Sequence, residues 1–350
     1  MFVSPVQIGK RGVGDGNPVY IMADIGLTNG GDLKRTFKLI ELVAQLGVDA
    51  VKFQMIGPEV LLGDKTVEYT YETFNDGLKT ENMFDMFSKL TYTEEEWIQI
   101  KTYVDKHNLE FICTAHYIDA IPLLEHLDVK VHKICTWSMT HKRLIQAMGK
   151  TGKPILLDTG AFTPNTLDRT LDWYLQAGGR GIIILHDFHS NKIDEMNFRS
   201  IPYLKCRYGF PVGYTPQGRD YDMDYLAIGL GVNVLEKRIT LDRSIPENGH
   251  NKALEPYEFD QWLKRVRELE RALGAFSLLP TQADLVQSKN YFKSLYSKNN
   301  IEQHRIISDE MLEARRPGTG ISASQVDQVC GCRAIRFIPA GKMLTFDDLK

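Results

Sequence analysis

The chain has 350 residues, of which 42 are lysine or arginine and 45 are aspartate or glutamate, so its net charge at pH 7 is -3. This length fits a barrel of about 250 residues followed by a small module. The balanced charge provides no strong positive field, which disfavours nucleic acid or an anionic membrane as a partner. A small anionic ligand is compatible with this net charge, because a local cluster of lysines and arginines can bind it whatever the net charge of the whole chain.

Cysteine usage and the N-terminal segment predict a cytoplasmic protein. The five cysteines are sparsely spaced and odd in number, which is typical of free thiols in a reducing compartment. Cys330 and Cys332 form a C-x-C pair, but the sequence offers no second pair to complete a zinc site. The first residues lack the apolar core of a signal peptide, and no run reaches the roughly 20 apolar residues that a membrane span needs.

Eight short β-rich runs recur between residues 19 and 240. Most are continuous apolar runs, which is typical of parallel strands that are buried on both faces. Amphipathic helical segments lie between them, as at 34–47. The runs are VYIMADIG (19–26), VDAVKFQ (48–54), LEFICTA (109–115), VKVHKICT (129–136), KPILLDTG (153–160), RGIIILHD (180–187), FPVGYT (210–215) and VNVLEKRIT (232–240).

This alternation predicts an α/β fold, a TIM (β/α)8 barrel, over residues 1–275. A doubly wound open sheet is the alternative, but the sequence does not mark the switch point that it needs. The segment 55–92 is too long for an ordinary βα loop, so we expect an active-site loop with some helix. Residues 276–290 are interpreted as a linker, and the short β runs of 291–350 predict a small separate α+β domain.

Nine short motifs resemble those of the sialic acid synthase family, in the same order and with similar spacing over almost the whole chain. The C-terminal segment resembles the antifreeze-like SAF domain that follows the barrel in that family. The motifs are VKFQ (51–54), KICT (133–136), DTG (158–160), ILH (184–186), NFRSI (197–201), VGYT (212–215), LEKRITLDRSIP (235–246), ALEPYEF (253–259) and RRPGTGIS (315–322).

The resemblance implies a transferase of carbohydrate biosynthesis. Family members condense phosphoenolpyruvate with an aldehyde-bearing amino sugar, which gives a 2-keto-3-deoxy sugar acid and releases phosphate. They include synthases of sialic, legionaminic and pseudaminic acids. The resemblance also implies a domain-swapped homodimer, in which the tail domain of one chain covers the barrel mouth of the other.

The resemblance assigns several residues at the carboxyl ends of the strands to phosphoenolpyruvate, and barrels place their active sites at these ends. Two lysines that converge on one small anion form strong charge-assisted contacts. The alternative for each lysine is a structural pair with a carboxylate of the barrel. The assigned residues are Lys52, Gln54, Lys133, Thr136, Thr159, Asn197 and Thr215.

Three residues are candidates for contact with the sugar. Arg316 matches an arginine that the tail domain offers to the sugar, and the alternative is a surface arginine beside a turn. His250 lies where the family has an Asp-His pair. Asp158 replaces a serine of the family, and because a carboxylate repels phosphate, we expect it to contact sugar hydroxyls, a lysine or a metal.

The family's divalent metal, manganese or magnesium, is held by two histidines, and both positions differ here. Gln217 and Arg238 stand in their places. Glutamine is a weak oxygen ligand, and arginine cannot be a ligand because it stays protonated. Asp24 replaces a glutamate, and Ser138 replaces the glutamate that binds the amino sugar. We therefore expect an acceptor other than N-acetylmannosamine.

Three explanations are compatible with these changes. In the first, Arg238 replaces the metal as a fixed cation that polarises the aldehyde, with Asp24 or Glu236 as the base. In the second, a metal binds to other residues with suitable ligand atoms, and in the third the chain is a non-catalytic homologue that binds a sugar or an anion. The candidate ligands of a relocated metal are His186, Asp187 and His189.

Two further alternatives concern individual charged residues. Glu236 and Lys237 are adjacent and could form a structural ion pair of the barrel. Lys52 or Lys133 could act as the Schiff-base lysine of a barrel aldolase or lyase, which would work without phosphoenolpyruvate.

Overall fold

The computed structural model describes residues 3–190 and 192–350. The chain divides into two compact units, Met1–Gly274 and Ala275–Lys350. In the described parts of the chain, no helix combines the length and the apolar character needed to cross a membrane.

Parallel strands close into a barrel in the first unit, which confirms the predicted TIM fold. Of the strands that the structure describes, β3, β4 and β7 to β12 form the barrel, in the circular order β3-β4-β7-β8-β9-β10-β11-β12. The doubly wound alternative is therefore wrong. The strands are β1 (Val6–Ile8), β2 (Arg11–Val13), β3 (Tyr20–Asp24), β4 (Ala50–Met55), β5 (Glu68–Thr73), β6 (Gly77–Asn82), β7 (Glu110–Ala115), β8 (His132–Ile134), β9 (Ile155–Asp158), β10 (Ile182–His186), β11 (Val212–Tyr214), β12 (Val234–Arg238), β13 (Ser294–Ser297) and β14 (Leu312–Arg315).

Amphipathic helices pack around the barrel and bury their apolar faces against it. In α1, the side chain of Asp32 caps the first turn, and Gly47 ends the helix with a φ of 78°, a conformation that favours glycine. The helices of the first unit are α1 (Leu33–Leu46), α2 (Pro58–Leu61), α3 (Met83–Ser88), α4 (Glu94–Lys106), α5 (Ala120–His126), α6 (Lys142–Lys150), α7 (Pro164–Gln176), α8 (Ser200–Tyr208), α9 (Tyr221–Gly229) and α10 (Pro256–Leu273), and those of the second unit are α11 (Gln282–Tyr291) and α12 (Val326–Val329).

The interior of the barrel changes from apolar to charged along the strands. Successive side chains of a strand point to opposite faces, so every second residue of each barrel strand faces inward. Near the amino ends of the strands, the interior is filled by buried apolar side chains. Nearer the carboxyl ends, the side chains that face the interior are polar or charged. The apolar interior residues include Tyr20, Met22, Ala50, Ile112, Val131, Leu156, Ile183, Leu185 and Val234.

The segment 55–92 contains the expected helix, in α2 and α3, but it also contains the antiparallel hairpin β5–β6, which was not expected. A second hairpin, β1–β2, precedes the barrel, and the sequence analysis did not predict it. Strand β8 has only three residues, although the apolar run 129–136 is longer.

The second unit has its own small core. The antiparallel hairpin β13–β14 pairs Ser294 with Arg315, and α11 covers most of the segment that was interpreted as a linker. The core consists of Leu295, Ile301, Ile307, Leu312, Ile321, Val329, Ala334, Ile338 and Leu344.

Candidate active site

A layer of buried charged side chains fills the barrel at the carboxyl ends of its strands. Lys52 Nζ lies 3.3 Å from Asp24 Oδ1 and 3.2 Å from Glu236 Oε1. Lys133 Nζ lies 2.9 and 2.7 Å from the two carboxylate oxygens of Asp158 and 3.3 Å from Glu236 Oε2. None of these five side chains belongs to a residue more than 4% exposed. The structure thus brings five of the predicted site residues together, and Glu236 bridges the two lysines.

The predicted ion pair between Glu236 and Lys237 is wrong. Glu236 points into the barrel, whereas Lys237 points outward and its Nζ lies 2.6 Å from Asp224 Oδ2 on α9. Because adjacent side chains of a strand point to opposite faces, two consecutive residues of β12 cannot both reach the interior. Glu236 is therefore a component of the charged layer.

Both lysines are held in the protonated state by their neighbours. Burial opposes a charge on Lys52 and Lys133, but the adjacent carboxylates of Asp24, Asp158 and Glu236 raise the pKa of both amines above the ordinary value. A Schiff-base mechanism requires a neutral amine as the nucleophile. The geometry therefore does not favour the aldolase or lyase alternative.

The pKa values of Asp24 and Asp158 are shifted in opposite directions. Burial opposes the ionisation of Asp24, but the positive charges of Lys52 and Arg238 outweigh it and hold its pKa well below the usual range. Burial raises the pKa of Asp158 to about 7 against the opposing effect of Lys133. Asp158 therefore takes up a proton more readily than an ordinary aspartate, although it contacts a lysine.

Asp187 is a further buried carboxyl group beside this layer, at the end of β10. It accepts hydrogen bonds from Thr136 Oγ1 at 3.2 Å and from Gln217 Nε2 at 2.5 Å. Burial raises its pKa, and Lys133 and the bond from Gln217 only partly oppose this. Thr136 also accepts a hydrogen bond from the backbone N–H of Gly160 at 3.1 Å, so this N–H is already occupied.

Arg238 ends β12 and lies at the rim of the layer. Its Nε donates a hydrogen bond to Asp24 Oδ2 at 3.1 Å, and its side chain is 22% exposed. Among the residues that the structure describes, none accepts a hydrogen bond from its two terminal amino groups. Arg238 thus presents donors at the mouth of the barrel from a position that Asp24 fixes.

The hydroxyl and amide groups assigned to phosphoenolpyruvate lie in different environments. Thr215 Oγ1 is buried and has no hydrogen-bond partner within the described residues, so it is free to bind a ligand. Gln54 Oε1 lies 3.1 Å from His116 Nε2. Thr159 Oγ1 donates to the carbonyl oxygen of Leu185 at 2.9 Å, which occupies its only donor.

Thr159 and Asn197 line a separate cavity of about 310 Å3 between α7 and α8. Asp158 points into the barrel, so the next residue, Thr159, points away from it. Asn197 is exposed and has a φ of 43°. The structure therefore does not bring Asn197 to the lysines, although the sequence motif places both in one binding site.

His250 and Arg316 are engaged by contacts of their own. His250 is fully buried, and its Nδ1 lies 2.7 Å from Thr240 Oγ1, so the geometry does not favour contact with a sugar. Arg316, in the second unit, donates from Nε to the carbonyl oxygen of Tyr291 at 2.9 Å and lies over the Tyr291 ring.

His116 is a site residue that the sequence analysis missed. It follows β7 directly, and burial together with Lys52 and Lys133 lowers its pKa to about 4, so the ring is neutral at physiological pH. Its Nε2 lies 3.1 Å from Gln54 Oε1, and because an amide oxygen can only accept, the neutral ring donates from Nε2–H; its Nδ1 lies 3.7 Å from Cys135 Sγ. Its place at the carboxyl end of a predicted barrel strand was the available signal.

Comparison with known proteins agrees with the residue pattern of the site. Residues 39–277 match the NeuB family, and residues 292–350 match the SAF domain. The chain belongs to the NeuB family. The resemblance to sialic acid synthases that the sequence motifs indicated is confirmed.

Several relatives of this NeuB chain are legionaminic and pseudaminic acid synthases. The N,N'-diacetyllegionaminic acid synthase of Campylobacter jejuni is 28% identical over 318 residues, which cover 89% of this chain and 94% of the relative. The protein of the same name from Legionella pneumophila is 25% identical and covers 98% of both chains. The crystal structure of the N-acetylneuraminic acid (sialic acid) synthetase of Leptospira borgpetersenii in complex with citrate has a TM-score of 0.72 at 23% identity, and the match covers 82% of this chain and 95% of that one. The last comparison shows the shared fold.

Gln217 and Arg238, the two positions that the sequence resemblance assigned to the family's metal, do not fit a divalent cation in this chain. Arg238 places a permanent positive charge at one position, and the Nε2 of Gln217 at the other is directed at Asp187. In residues 3–190 and 192–350, the structure contains no group of three His, Cys, Asp or Glu side chains that could hold a metal.

The relocated metal site predicted at His186, Asp187 and His189 is wrong. His186 points out of the barrel, where its Nε2 lies 2.9 Å from the carbonyl oxygen of Met196 and its Nδ1 lies 2.7 Å from Ser200 Oγ. Both ring nitrogens are therefore occupied, and burial lowers the pKa of the ring to about 4. Asp187 points inward, because it is the next residue of the strand end.

Proposed function

We propose that this NeuB chain condenses phosphoenolpyruvate with an aldose to give a 2-keto-3-deoxy sugar acid and phosphate, with Arg238 in the role of the family's metal. The observation that carries the proposal is the position of Arg238, which Asp24 fixes through Nε while the terminal amino groups stay free at the barrel mouth. Membership of the family supports the reaction, and the buried lysines support the anionic substrate.

The first step forms the carbon–carbon bond. C3 of phosphoenolpyruvate attacks the aldehyde carbon, and the electron pair of the C=O bond moves to the aldehyde oxygen. Arg238 donates hydrogen bonds to this oxygen as its negative charge develops. Because Asp24 holds the guanidinium in place beforehand, little reorganisation is needed in the transition state.

The second step hydrolyses the cation that this attack leaves at C2. A water molecule adds to C2 and gives one proton to a base, which passes it to the alkoxide formed in the first step. The bond from C2 to the phosphate oxygen then breaks with its electron pair on phosphate, while the C2 hydroxyl becomes the ketone and its proton goes to the departing phosphate. We assign the base to Glu236, whose Oε2 is buried without an aligned hydrogen-bond donor among the described residues. Asp24 is a weak base because its pKa is held low, so its role is to orient Arg238.

The substrate anion is held by Lys52 and Lys133. In the free protein these amines contact carboxylates, so the arriving phosphate or carboxylate of phosphoenolpyruvate takes over contacts that Asp158 and Glu236 now provide. The free hydroxyl of Thr215 offers a further donor from the end of β11. Charge-assisted contacts of this kind are roughly twice as strong as neutral hydrogen bonds.

The experiment measures phosphate release from phosphoenolpyruvate by chelator-treated protein with a panel of aldoses, with and without Mn2+. We expect release without metal, and a loss of about 10^2- to 10^3-fold in kcat for Arg238→Gln with phosphoenolpyruvate binding retained. Arg207→Gln, which removes a surface ion pair with Asp168, is the control and should behave as the wild type.

Two other results would contradict this assignment. Release that depends on Mn2+, or full activity of Arg238→Gln, would show that Arg238 is not the electrophile. Binding of phosphoenolpyruvate without release on any aldose would support the second candidate function, a non-catalytic anion-binding homologue, which the internal neutralisation of both lysines favours.

A further inference from the structure

Asp187 differs from the other carboxyl groups of the layer in its partners. Asp24, Asp158 and Glu236 each contact a lysine or arginine, whereas Asp187 is bound by the neutral groups of Gln217 and Thr136. Its other close neighbour is His189, whose Nε2 lies 3.6 Å from Asp187 Oδ2. Burial lowers the pKa of His189, so this ring is neutral as well. Within the described residues, Asp187 is thus a carboxyl group that is 3% exposed and has no lysine or arginine in direct contact, although Lys133 acts on it at longer range.

The direct contacts of the layer leave one carboxyl group in excess, without a cation. In the part of the chain that the structure describes, Lys52, Lys133 and Arg238 contact the carboxyl groups of Asp24, Asp158 and Glu236 but not that of Asp187. Lys133 acts on Asp187, and Lys252 acts on the adjacent His189, only at longer range. A buried carboxylate without a cation is costly, and it either takes up a proton or gains strongly from a positive ligand. The excess is located at the ends of β9 and β10, where Asp158 and Asp187 lie.

Binding of phosphoenolpyruvate would enlarge this excess. Lys133 contacts both oxygens of Asp158 in the free protein, and the substrate must draw this amine away. Asp158 then loses its cation and joins Asp187 as an unpaired carboxyl group. The second substrate therefore meets a surface with two carboxyl groups on neighbouring strands, next to the newly bound anion.

Unsatisfied and exposed groups nearby indicate that a ligand completes this region. Thr114 is 1% exposed, faces the interior in register with Lys133, and its Oγ1 has no hydrogen-bond partner within the described residues. Trp137 follows Thr136 and is 70% exposed, and its ring centroid lies 4.6 Å from that of His189. An exposed indole is suited to bind a cation or the face of a sugar ring, and this one stacks near His189, the neighbour of Asp187.

We propose that the acceptor is an amino aldose with a free, protonated amine, and that Asp187, together with Asp158, binds this ammonium group. A hydroxyl or acetamido group satisfies the hydrogen-bonding capacity of a carboxylate but leaves its charge buried. An ammonium group supplies both the donors and the charge. This inference rests on the proposed function and narrows its acceptor to a chemical class.

The test uses matched sugars that differ in one substituent. D-Mannose, D-mannosamine and N-acetyl-D-mannosamine carry a hydroxyl, an ammonium and an acetamido group at C2. Glucosamine and galactosamine, each with its parent sugar and its N-acetylated form, provide two further sets of three. Phosphate release and calorimetric binding are both measured with phosphoenolpyruvate present, at a pH at which the amine is protonated. We expect kcat/KM and affinity to be at least about tenfold higher for an amino sugar than for its two counterparts, the effect of one charged hydrogen bond.

Asp187→Asn keeps the shape of the side chain and removes its charge. It should abolish the preference for the amine and leave the affinity for phosphoenolpyruvate within about twofold. Asp168→Asn, on the surface, is the control and should keep the preference. A merely structural role of Asp187 would lower activity on all three sugars equally.

The outcomes separate this inference from the proposed function. If phosphate release with the acetamido or hydroxyl sugars is as fast as with the amino sugars, or faster, the inference is overturned and the proposed function still holds. If no sugar gives release, the proposed function fails, and the binding data decide the inference by themselves. Tighter binding of an amino sugar that Asp187→Asn abolishes supports it, and equal binding within every set overturns it.

Discussion

Arg238 Nε and Asp24 Oδ2 lie 3.1 Å apart at the seam where the last barrel strand pairs with the first. In the parallel register of β12 and β3, Arg238 is the Cα partner of Asp24, so the closure of the barrel itself brings the two side chains together. The cation at the mouth is therefore positioned by the architecture of the barrel, and no mobile loop is needed to place it.

Asp24→Asn should lower kcat by about tenfold or more, because an amide orients the guanidinium of Arg238 less firmly than a carboxylate does. The change also removes one of the two carboxylates that contact Lys52, so the affinity for phosphoenolpyruvate should hold or increase. Steady-state phosphate release gives kcat, and calorimetry gives the affinity. An unchanged kcat would show that Arg238 does not need this anchor.

Lys133→Met should destabilise the barrel by about 3–5 kcal/mol, because it leaves Asp158 without its buried cation. Adding Asp158→Leu should recover much of this loss, since both charges are then absent. Urea unfolding can be followed by tryptophan fluorescence, because all four tryptophans lie in the first unit.

The control for this cycle is Lys101→Ala on α4, which removes an exposed pair with Asp105 and should cost about 0.5 kcal/mol or less. No recovery in the double variant would show that the two residues do not form an energetic pair.

Asp158→Asn should change how stability depends on pH. A carboxyl group with a pKa of 3.8 when unfolded and about 7 when folded binds its proton more tightly in the folded protein. It therefore stabilises the fold at low pH, and this contribution is lost as the pH rises through that interval. The melting temperature of Asp158→Asn relative to the wild type should increase from about pH 4 to about pH 7 and stay level above that. Asp105→Asn serves as a surface control, and a constant difference would mean that Asp158 is ionised throughout.

Gln217→His combined with Arg238→His should create a site for Mn2+ that the wild type lacks. The two imidazoles would stand at the positions of the family's ligands, and the fixed charge of Arg238 would be gone. Electron paramagnetic resonance of free Mn2+ measures the binding directly and does not depend on activity. Absence of binding in the double variant would show that these positions do not converge on one cation in this chain.

The barrel and the charged layer could be predicted from the sequence to different extents. The apolar runs gave the barrel because each strand is buried on both faces, and the family motifs gave Lys52 and Lys133. The same motifs did not indicate that Asp158 and Glu236 already neutralise these lysines. Such pairing depends on which strands are neighbours across the barrel.

The errors have a common physical origin in side-chain direction. Glu236–Lys237 and His186–Asp187 were each treated as pairs that share a site, yet adjacent residues of a strand point to opposite faces. The hairpin β5–β6 was missed because its strands are exposed and polar, so they lack the apolar pattern that marks a buried strand. His250 was assigned from its motif alone, and its full burial requires the tertiary structure.

The bridge that Glu236 forms between Lys52 and Lys133 has a consequence for selectivity. A tethered carboxylate competes with any dissolved anion at a high effective concentration, because it is attached to the barrel wall. A small anion of single charge offers the lysines nothing that Glu236 does not already provide. Only an anion with more charge, or with two acidic groups spaced to reach both amines, can displace it. We therefore expect small anions of single charge, such as chloride, to compete poorly for the two lysines, and we expect the charge of a ligand and the spacing of its acidic groups to decide whether it binds.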